Sequence, residues 1–216
     1  MFFISSFFYL ITFYSDLTVD SKNQTLLLSR EKIAVENLSD SSRIPLDSIF
    51  DPNSISSSPF SIWITSIVQS LTQKYSLRGE FLGQINIGGY DIDSDPNWLL
   101  LAGEESYLIQ LSTGRKLPIL WKEVKRCALG KDSLYLYGDD TLYKFKKSGQ
   151  FILKKYIPGV MDITTFKGKL GILFKDSLIY KDKKIPIDAG VRMDGGENCI
   201  SILTNSGIIK YPGIQK

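Results

Sequence analysis

Apolar residues recur through this chain at near-constant intervals, and few folds can use such a pattern. Val19, Ile55, Ile92, Cys127, Ile163 and Met193 form one column, separated by 36, 37, 35, 36 and 30 residues. A second column runs Leu26, Ile62, Leu99, Leu134, Leu170 and Ile200, and a third runs Leu28, Ile64, Leu101, Leu136, Ile172 and Ile202. A period of this size marks a supersecondary unit that cannot bury its apolar face alone and must stack on copies of itself.

Each unit divides into short β-type runs separated by turn residues. The third reads Tyr90–Asp93, Trp98–Ala102, Tyr107–Leu111 and Lys116–Trp121, with Ser94-Asp95-Pro96-Asn97, Gly103-Glu104-Glu105 and Thr113-Gly114 between them. The fourth reads Arg126–Leu129, Ser133–Tyr137, Leu142–Phe145 and Gln150–Tyr156. Gly79, Gly114 and Gly149 stand 35 residues apart, each opening the fourth run of its unit. No run of ten or more residues carries a 3.6-residue period, so long helices are not expected. A β-solenoid would need shorter, more uniform rungs, and a sandwich would not repeat across the whole chain. Four strands repeated six times is the arithmetic of an all-β, six-bladed β-propeller. It predicts one domain over residues 1–216, with blades at 15–50, 51–88, 89–123, 124–159, 160–190 and 191–216.

The ends bear on ring closure. The sixth unit has Arg192–Asp194, Cys199–Thr204 and Ile208–Tyr211, then only Pro212–Lys216, too little for a fourth strand. The aromatic and β-branched segment Phe7–Tyr14 precedes the first unit where a fourth strand would lie. Residues 1–14 are therefore expected to complete the last blade and seal the ring, which removes open edges. The competing reading of the segment is a signal peptide, which would make the protein secreted or place it in the cell envelope. It lacks a basic n-region and a small-residue cleavage site, and it is shorter than the about 20 residues of a membrane span. The reading therefore leans towards a cytoplasmic protein.

Val19-Asp20-Ser21-Lys22-Asn23 before Leu26-Leu27-Leu28, and Ile92-Asp93-Ser94-Asp95-Pro96-Asn97 before Leu99-Leu100-Leu101, pair an apolar residue with Asp, a turn and an apolar strand. Met193-Asp194 repeats the pairing. Lys144-Phe145 with Ser148-Gly149-Gln150-Phe151 looks like a third strand turning into a fourth. In these respects the chain resembles the six-bladed propellers of the NHL-repeat type and their WD-repeat-like relatives. Ser56, Ala128 and Thr164 take the Asp position in three blades.

The chain contains no histidine. Nucleophile–histidine pairs and histidine-ligated metals are thereby excluded, along with the usual proton shuttle near neutral pH. The cysteines, Cys127 and Cys199, make neither a zinc site nor a disulfide framework. No glycine-rich phosphate loop is present, because Gly195-Gly196 is not followed by a helix or by a Gly-Lys-Ser/Thr triplet. No catalytic residue, cofactor or metal is assigned.

The first strand of each propeller blade lines the channel. The residues before the first column are Thr18, Ser54, Asp91, Arg126, Asp162 and Arg192. Neighbouring blades would pair Asp91 with Arg126 and Asp162 with Arg192, either as ion pairs between blades or as a site for a charged ligand. The trio Asp91, Asp93 and Asp95 lacks a full calcium-loop pattern and reads as solvated turn acids.

The formal charge of +3 hides an asymmetry: residues 1–108 carry 6 Lys/Arg against 13 Asp/Glu, and residues 109–216 carry 20 against 10. Lys144, Lys146, Lys147, Lys154 and Lys155, interleaved with Tyr143, Phe145, Phe151 and Tyr156, form the densest basic cluster. Alternation along a strand sends lysines and aromatics to opposite faces. The function expected is a monomeric, non-catalytic scaffold whose rigid face binds another protein. The alternatives are a small-ligand, metal-binding or enzymatic propeller using Asp91, Arg126, Asp162 and Arg192, and RNA binding through the lysine-rich half.

Overall fold

The computed structural model describes residues 14–29, 33–46 and 49–212. Among them the regular elements are all β-strands, arranged as six antiparallel sheets. The first sheet is β1 (Tyr14–Val19), β2 (Thr25–Ser29), β3 (Ala34–Asn37) and β4 (Arg43–Pro45). The second is β5 (Ser54–Ser58), β6 (Ser61–Ser66), β7 (Leu71–Ser76) and β8 (Phe81–Ile85). The third is β9 (Asp91–Ser94), β10 (Trp98–Ala102), β11 (Ser106–Gln110) and β12 (Lys116–Leu120). The fourth is β13 (Arg126–Leu129), β14 (Ser133–Gly138), β15 (Thr141–Lys146) and β16 (Phe151–Tyr156). The fifth is β17 (Val160–Phe166), β18 (Lys169–Phe174), β19 (Ser177–Tyr180) and β20 (Lys183–Pro186), and the sixth is β21 (Gly190–Gly195), β22 (Cys199–Thr204) and β23 (Gly207–Pro212). The innermost strands touch in the order β1, β5, β9, β13, β17, β21, and β21 touches β1. The chain is a six-bladed β-propeller.

Burial follows from this stacking. A second strand has blades packed on both of its faces, so it reads as a continuous apolar run rather than an alternating one. Leu26-Leu27-Leu28 in β2, Ile62-Trp63-Ile64 in β6 and Leu99-Leu100-Leu101 in β10 are all buried. Third strands mix buried and partly exposed positions, and fourth strands lie at the rim. The tight turns between third and fourth strands explain the glycine spacing. Gly79, Gly114 and Gly149 have φ of +89°, +69° and +86°, a region that costs glycine little and an L side chain much.

Each interface between neighbouring blades holds its own apolar cluster. Leu28 and Val35 meet Ile64 and Tyr75 between blades one and two, and Trp63 meets Ile92, Leu99 and Ile109 between two and three. Leu100 and Leu108 meet Leu134, Leu136 and Phe145 between three and four. Leu142 and Tyr137 meet Ile163 between four and five, and Phe166, Leu173 and Tyr180 meet Met193, Ile200 and Ile202 between five and six.

Among the described residues, the sixth interface, where the last blade meets the first, has the fewest buried apolar side chains. Leu17, Leu27 and Leu203 are its buried core, with Tyr14 and Ile208 against them. Polar bonds stitch the same seam. Asp194 Oδ2 accepts from Val19 N and Thr18 Oγ1 (both 2.8 Å), Asn23 Oδ1 accepts from Asn198 N (2.9 Å), and the Thr25 and Ser201 hydroxyls lie 3.2 Å apart. The sixth sheet has three strands among the described residues. The expected closing segment, Phe7–Phe13, lies outside those described. Tyr14, placed by the sequence in that closing strand, instead opens β1 and pairs with Ser29.

Gly196 shows how tightly the seam fits. A Cβ there would lie 2.4 Å from Val19 Cγ1. Gly196→Ala is expected to destabilise the ring by about 1–3 kcal/mol, the usual cost of overpacking. Chemical denaturation checks this, and unchanged stability would show that the seam yields freely.

Candidate functional site

The channel is built from two tiers of inward-facing residues on the innermost strands. The upper tier, in blade order, is Asp16, Ser54, Asp91, Arg126, Asp162 and Arg192. Odd blades supply a carboxylate and even blades a donor. The carboxyl of each odd blade reaches the backbone of the next: Asp16 Oδ2 accepts from Ile55 N (3.0 Å), Asp91 Oδ2 from Cys127 N (2.8 Å) and Asp162 Oδ2 from Met193 N (2.8 Å). The other oxygen, Oδ1, meets the donor of the preceding even blade. Ser54 Oγ stands 2.8 Å from Asp91, Arg126 Nε 3.5 Å from Asp162 and Arg192 Nε 3.6 Å from Asp16.

This corrects the pairing expected from sequence. The ion pairs within 4 Å are Arg126–Asp162 and Arg192–Asp16, each carboxyl two blades beyond the expected one, because a carboxyl that staples the following blade turns its second oxygen back; Arg192 still acts on Asp162 through its charge. Asp91 has Ser54 in the place of an arginine. The sequence reading put Thr18 in the upper tier and missed Asp16. Leu17 and Val19 are both apolar and flank Thr18, and the three leucines of β2 fix no phase. Leu17, pairing with Leu27, is the true counterpart of Ile92, which pairs with Leu101. The available signal was Asp16, Asp91 and Asp162 recurring every second blade.

Thr18 belongs to the lower tier with Ser56, Asp93, Ala128, Thr164 and Asp194. Asp93 Oδ2 accepts from Leu129 N (2.6 Å), and Thr18 Oγ1 accepts from Ser57 N (3.0 Å). Asp91 and Asp93 are thus staples in the channel wall, not solvated turn acids. Asp95 does cap its turn, accepting from Asn97 N and Trp98 N at 2.8 Å, and pairs with Lys147. Asp20, the Asp of the first apolar–Asp pair, closes the β1–β2 turn through Lys22 N (2.9 Å) and Gln24 N (2.8 Å).

Five carboxyls and two guanidiniums share this space, and the charge does not balance. Burial pushes Asp16 up to about 6 despite the opposing pull of Arg192, and pushes Asp162 up to about 7 against Arg192 and Arg126. Burial and the charge of Asp194 push Asp93 well up, and burial raises Asp194. Burial alone would lower Arg192, but Asp16, Asp162 and Asp91 hold it above its ordinary value. Geometry gives the same answer. Ser54 Oγ lies 2.6 Å from Asp16 Oδ2 and 2.8 Å from Asp91 Oδ1. One hydroxyl carries one proton and can donate to only one of them. Both contacts are hydrogen bonds when Asp16 is protonated and donates to Ser54.

The cavity enclosed by these residues is about 20 Å³, room for one water. Among the described residues no three carboxyl, thiol or imidazole groups are placed to hold a metal ion. Above it lies a wider mouth of about 400 Å³ lined by Asn53, Tyr90, Lys125, Arg126 and Arg192. Arg126 is held there by donating to Met161 O (2.9 Å) and Lys125 O (2.6 Å), and Arg192 Nη1 is buried with no partner.

The five lysines of the basic cluster do not act as one patch. Lys147 is tied to Asp95, and Lys144 lies over the ring of Tyr135 at 5.5 Å. Lys146, Lys154 and Lys155 are exposed. Phe145 is buried, and Phe151 packs on it edge-to-face at 5.5 Å while remaining half exposed.

No protein-family model matches the chain, and no curated protein matches its sequence. Solved structures match its shape. A virginiamycin B lyase from Staphylococcus aureus aligns with TM-score 0.67 at 15% identity, covering 92% of this chain and 80% of that one. The WD40 domain of Neurospora crassa Pan2 aligns with TM-score 0.67 at 10% identity over 94% of this chain and 76% of that one. A chain of a mitotic checkpoint complex gives 0.68 at 9% identity over 92% and 76%. At these identities the likeness establishes the propeller fold. No helix among the described residues is long and apolar enough to cross a membrane.

Proposed function

We propose that this propeller is a non-catalytic interaction module whose rigid ring docks another protein. The observation that carries the reading is the state of the channel. Its carboxylates are engaged by the protein's own backbone, and the space left holds about one water. The two-signed surface supports the same reading, since complementary fields steer and orient a partner. One structure of the lyase neighbour is of a variant described as catalytically inactive, in which a histidine is replaced by alanine. The present chain has no histidine, which weighs against the same chemistry.

The test is enrichment of the tagged intact protein from its native cell, with cross-links mapped onto the ring. A protein recovered at fixed stoichiometry, cross-linked to one face, is the expected result. Recovery of nucleic acid alone, or of nothing, would overturn it.

The orphaned Arg192 Nη1 favours a second reading, in which the mouth takes a small anion between Arg126 and Arg192. That reading expects inorganic phosphate or a small carboxylate to raise the melting temperature of the wild type and not of Arg126→Gln.

A further inference from the structure

The rim strands of the blades are not equally protected. Unpaired strand edges invite pairing, and proteins blunt them with short strands, prolines, bulges and charges. β4 is three residues long and ends in Pro45, β8 contains Gly83 at φ +147°, β12 contains Pro118, and β20 is four residues long and ends in Pro186. β16 is six residues long, has neither proline nor glycine, and is exposed at every position. Four of its six residues are apolar or aromatic: Phe151, Ile152, Leu153 and Tyr156, the last 69% exposed. Lys154 and Lys155 guard it, along with one irregularity where Ile152 has no partner on β15.

Beside this edge runs a groove of about 610 Å³ between blades four and five. Leu170, Ile172, Phe174 and Ile179 are among its apolar lining, and its charged lining is Lys155, Lys169, Lys181 and Asp182, three cations to one anion. Residues 144–184 contain eleven lysines and three aspartates, one of them the channel residue Asp162. Leu153 and Lys155 share the sheet face of Lys144 and Leu142, the face turned to blade five. An added strand would send alternate side chains to that same face.

We propose that an extended acidic and apolar segment of a partner protein adds to β16 as a fifth strand. Its apolar side chains enter the groove, and its carboxylates meet Lys155, Lys169 and Lys181. The lysines that repel another basic strand select an acidic one. A second copy of this chain, acidic half on basic half, would make a head-to-tail contact that propagates unless it closes. Single-stranded RNA would want aromatic platforms, and the lining is mainly aliphatic. The inference rests on the interaction-module reading above.

The test uses the full chain and a fluorescein-labelled peptide of about nine residues, the length of a long strand, with glutamate and valine taking turns at every second position and threonine between them, so that both types reach the groove face. Saturable binding that weakens with salt is expected, with amide-exchange protection across residues 151–156. The triple variant Lys155→Glu, Lys169→Glu, Lys181→Glu should weaken binding about tenfold or more. The triple Arg78→Glu, Arg115→Glu, Lys116→Glu, with the same charge change elsewhere, should stay within about twofold of wild type.

Equal losses in both triples, binding without protection of β16, no binding at all, or tighter binding of oligouridylate in the same groove would each overturn the proposal. The native-cell enrichment, repeated with the groove triple, separates the two claims. A partner held equally well by that variant leaves the interaction reading standing and removes the groove from it. Groove binding of the peptide with no protein recovered from cells does the reverse.

Discussion

Asp194→Ala is expected to lower the unfolding free energy by about 3 kcal/mol and to loosen the ring at one place. The carboxyl accepts from Val19 N and Thr18 Oγ1 of the first blade and from Gly195 N of its own strand (2.7 Å). Truncation leaves Val19 N without this acceptor and leaves Thr18 Oγ1 and Gly195 N only their longer contacts to Ser57 Oγ (3.3 Å) and Thr164 Oγ1 (3.2 Å); an unmet buried donor costs about 1–3 kcal/mol. Relief of repulsion with Asp93 returns part of that. The loss falls on the interface with the fewest buried apolar residues among those described, Leu17, Leu27 and Leu203. Amide exchange should therefore quicken in β1 and β21–β22 before it does in β9–β15. Denaturant titration with exchange mass spectrometry measures both quantities. Uniform quickening around the ring would show that the seam is no weaker than the other interfaces.

The blades could be read from the sequence because their cause is local and repeated. Two packed faces force an unbroken apolar second strand, and a tight turn forces a left-handed glycine, so Trp98–Ala102, Cys199–Thr204 and Gly79/Gly114/Gly149 all fell where the sequence put them. Phase within the first blade was harder. An irregularity in the pairing between Tyr14 and Asp16, next to a run of identical leucines, removed the contrast that fixes register elsewhere. Asp16 was lost from the channel tier as a result. The direction of the ion pairs was also illegible, since it depends on which oxygen of Asp162 faces Met193 N, a detail of blade geometry that spacing does not encode. The basic cluster dissolved for a similar reason. Lys147 and Asp95 lie far apart in sequence and meet only when blades three and four stack.

The protein should be more stable at pH 5 than at pH 8, against the common pattern for a chain rich in ion pairs. Asp16 at about 6 and Asp162 at about 7 both lie above the ordinary carboxyl value of 3.8 that an unfolded chain would show. Between those values the folded ring binds more protons than the unfolded chain, so stability falls as pH rises. The contribution is complete below about 4 and is lost as pH climbs through 6 and 7. One pKa unit corresponds to about 1.4 kcal/mol, but protonating one carboxyl relieves the rest, so a combined loss of about 3 kcal/mol is expected. Ser54 makes the prediction specific. Its single hydroxyl proton lies between Asp16 and Asp91, and Asp16→Asn replaces the titrating carboxyl with an amide. That variant should lose the Asp16 share of the pH dependence, its amide oxygen taking the position that accepts from both Ser54 Oγ and Ile55 N. A melting temperature that stays flat or rises from pH 5 to pH 8 would mean that the channel carboxyls are all ionised in the folded ring, with the two arginines and the backbone amides sufficient to hold five negative charges together.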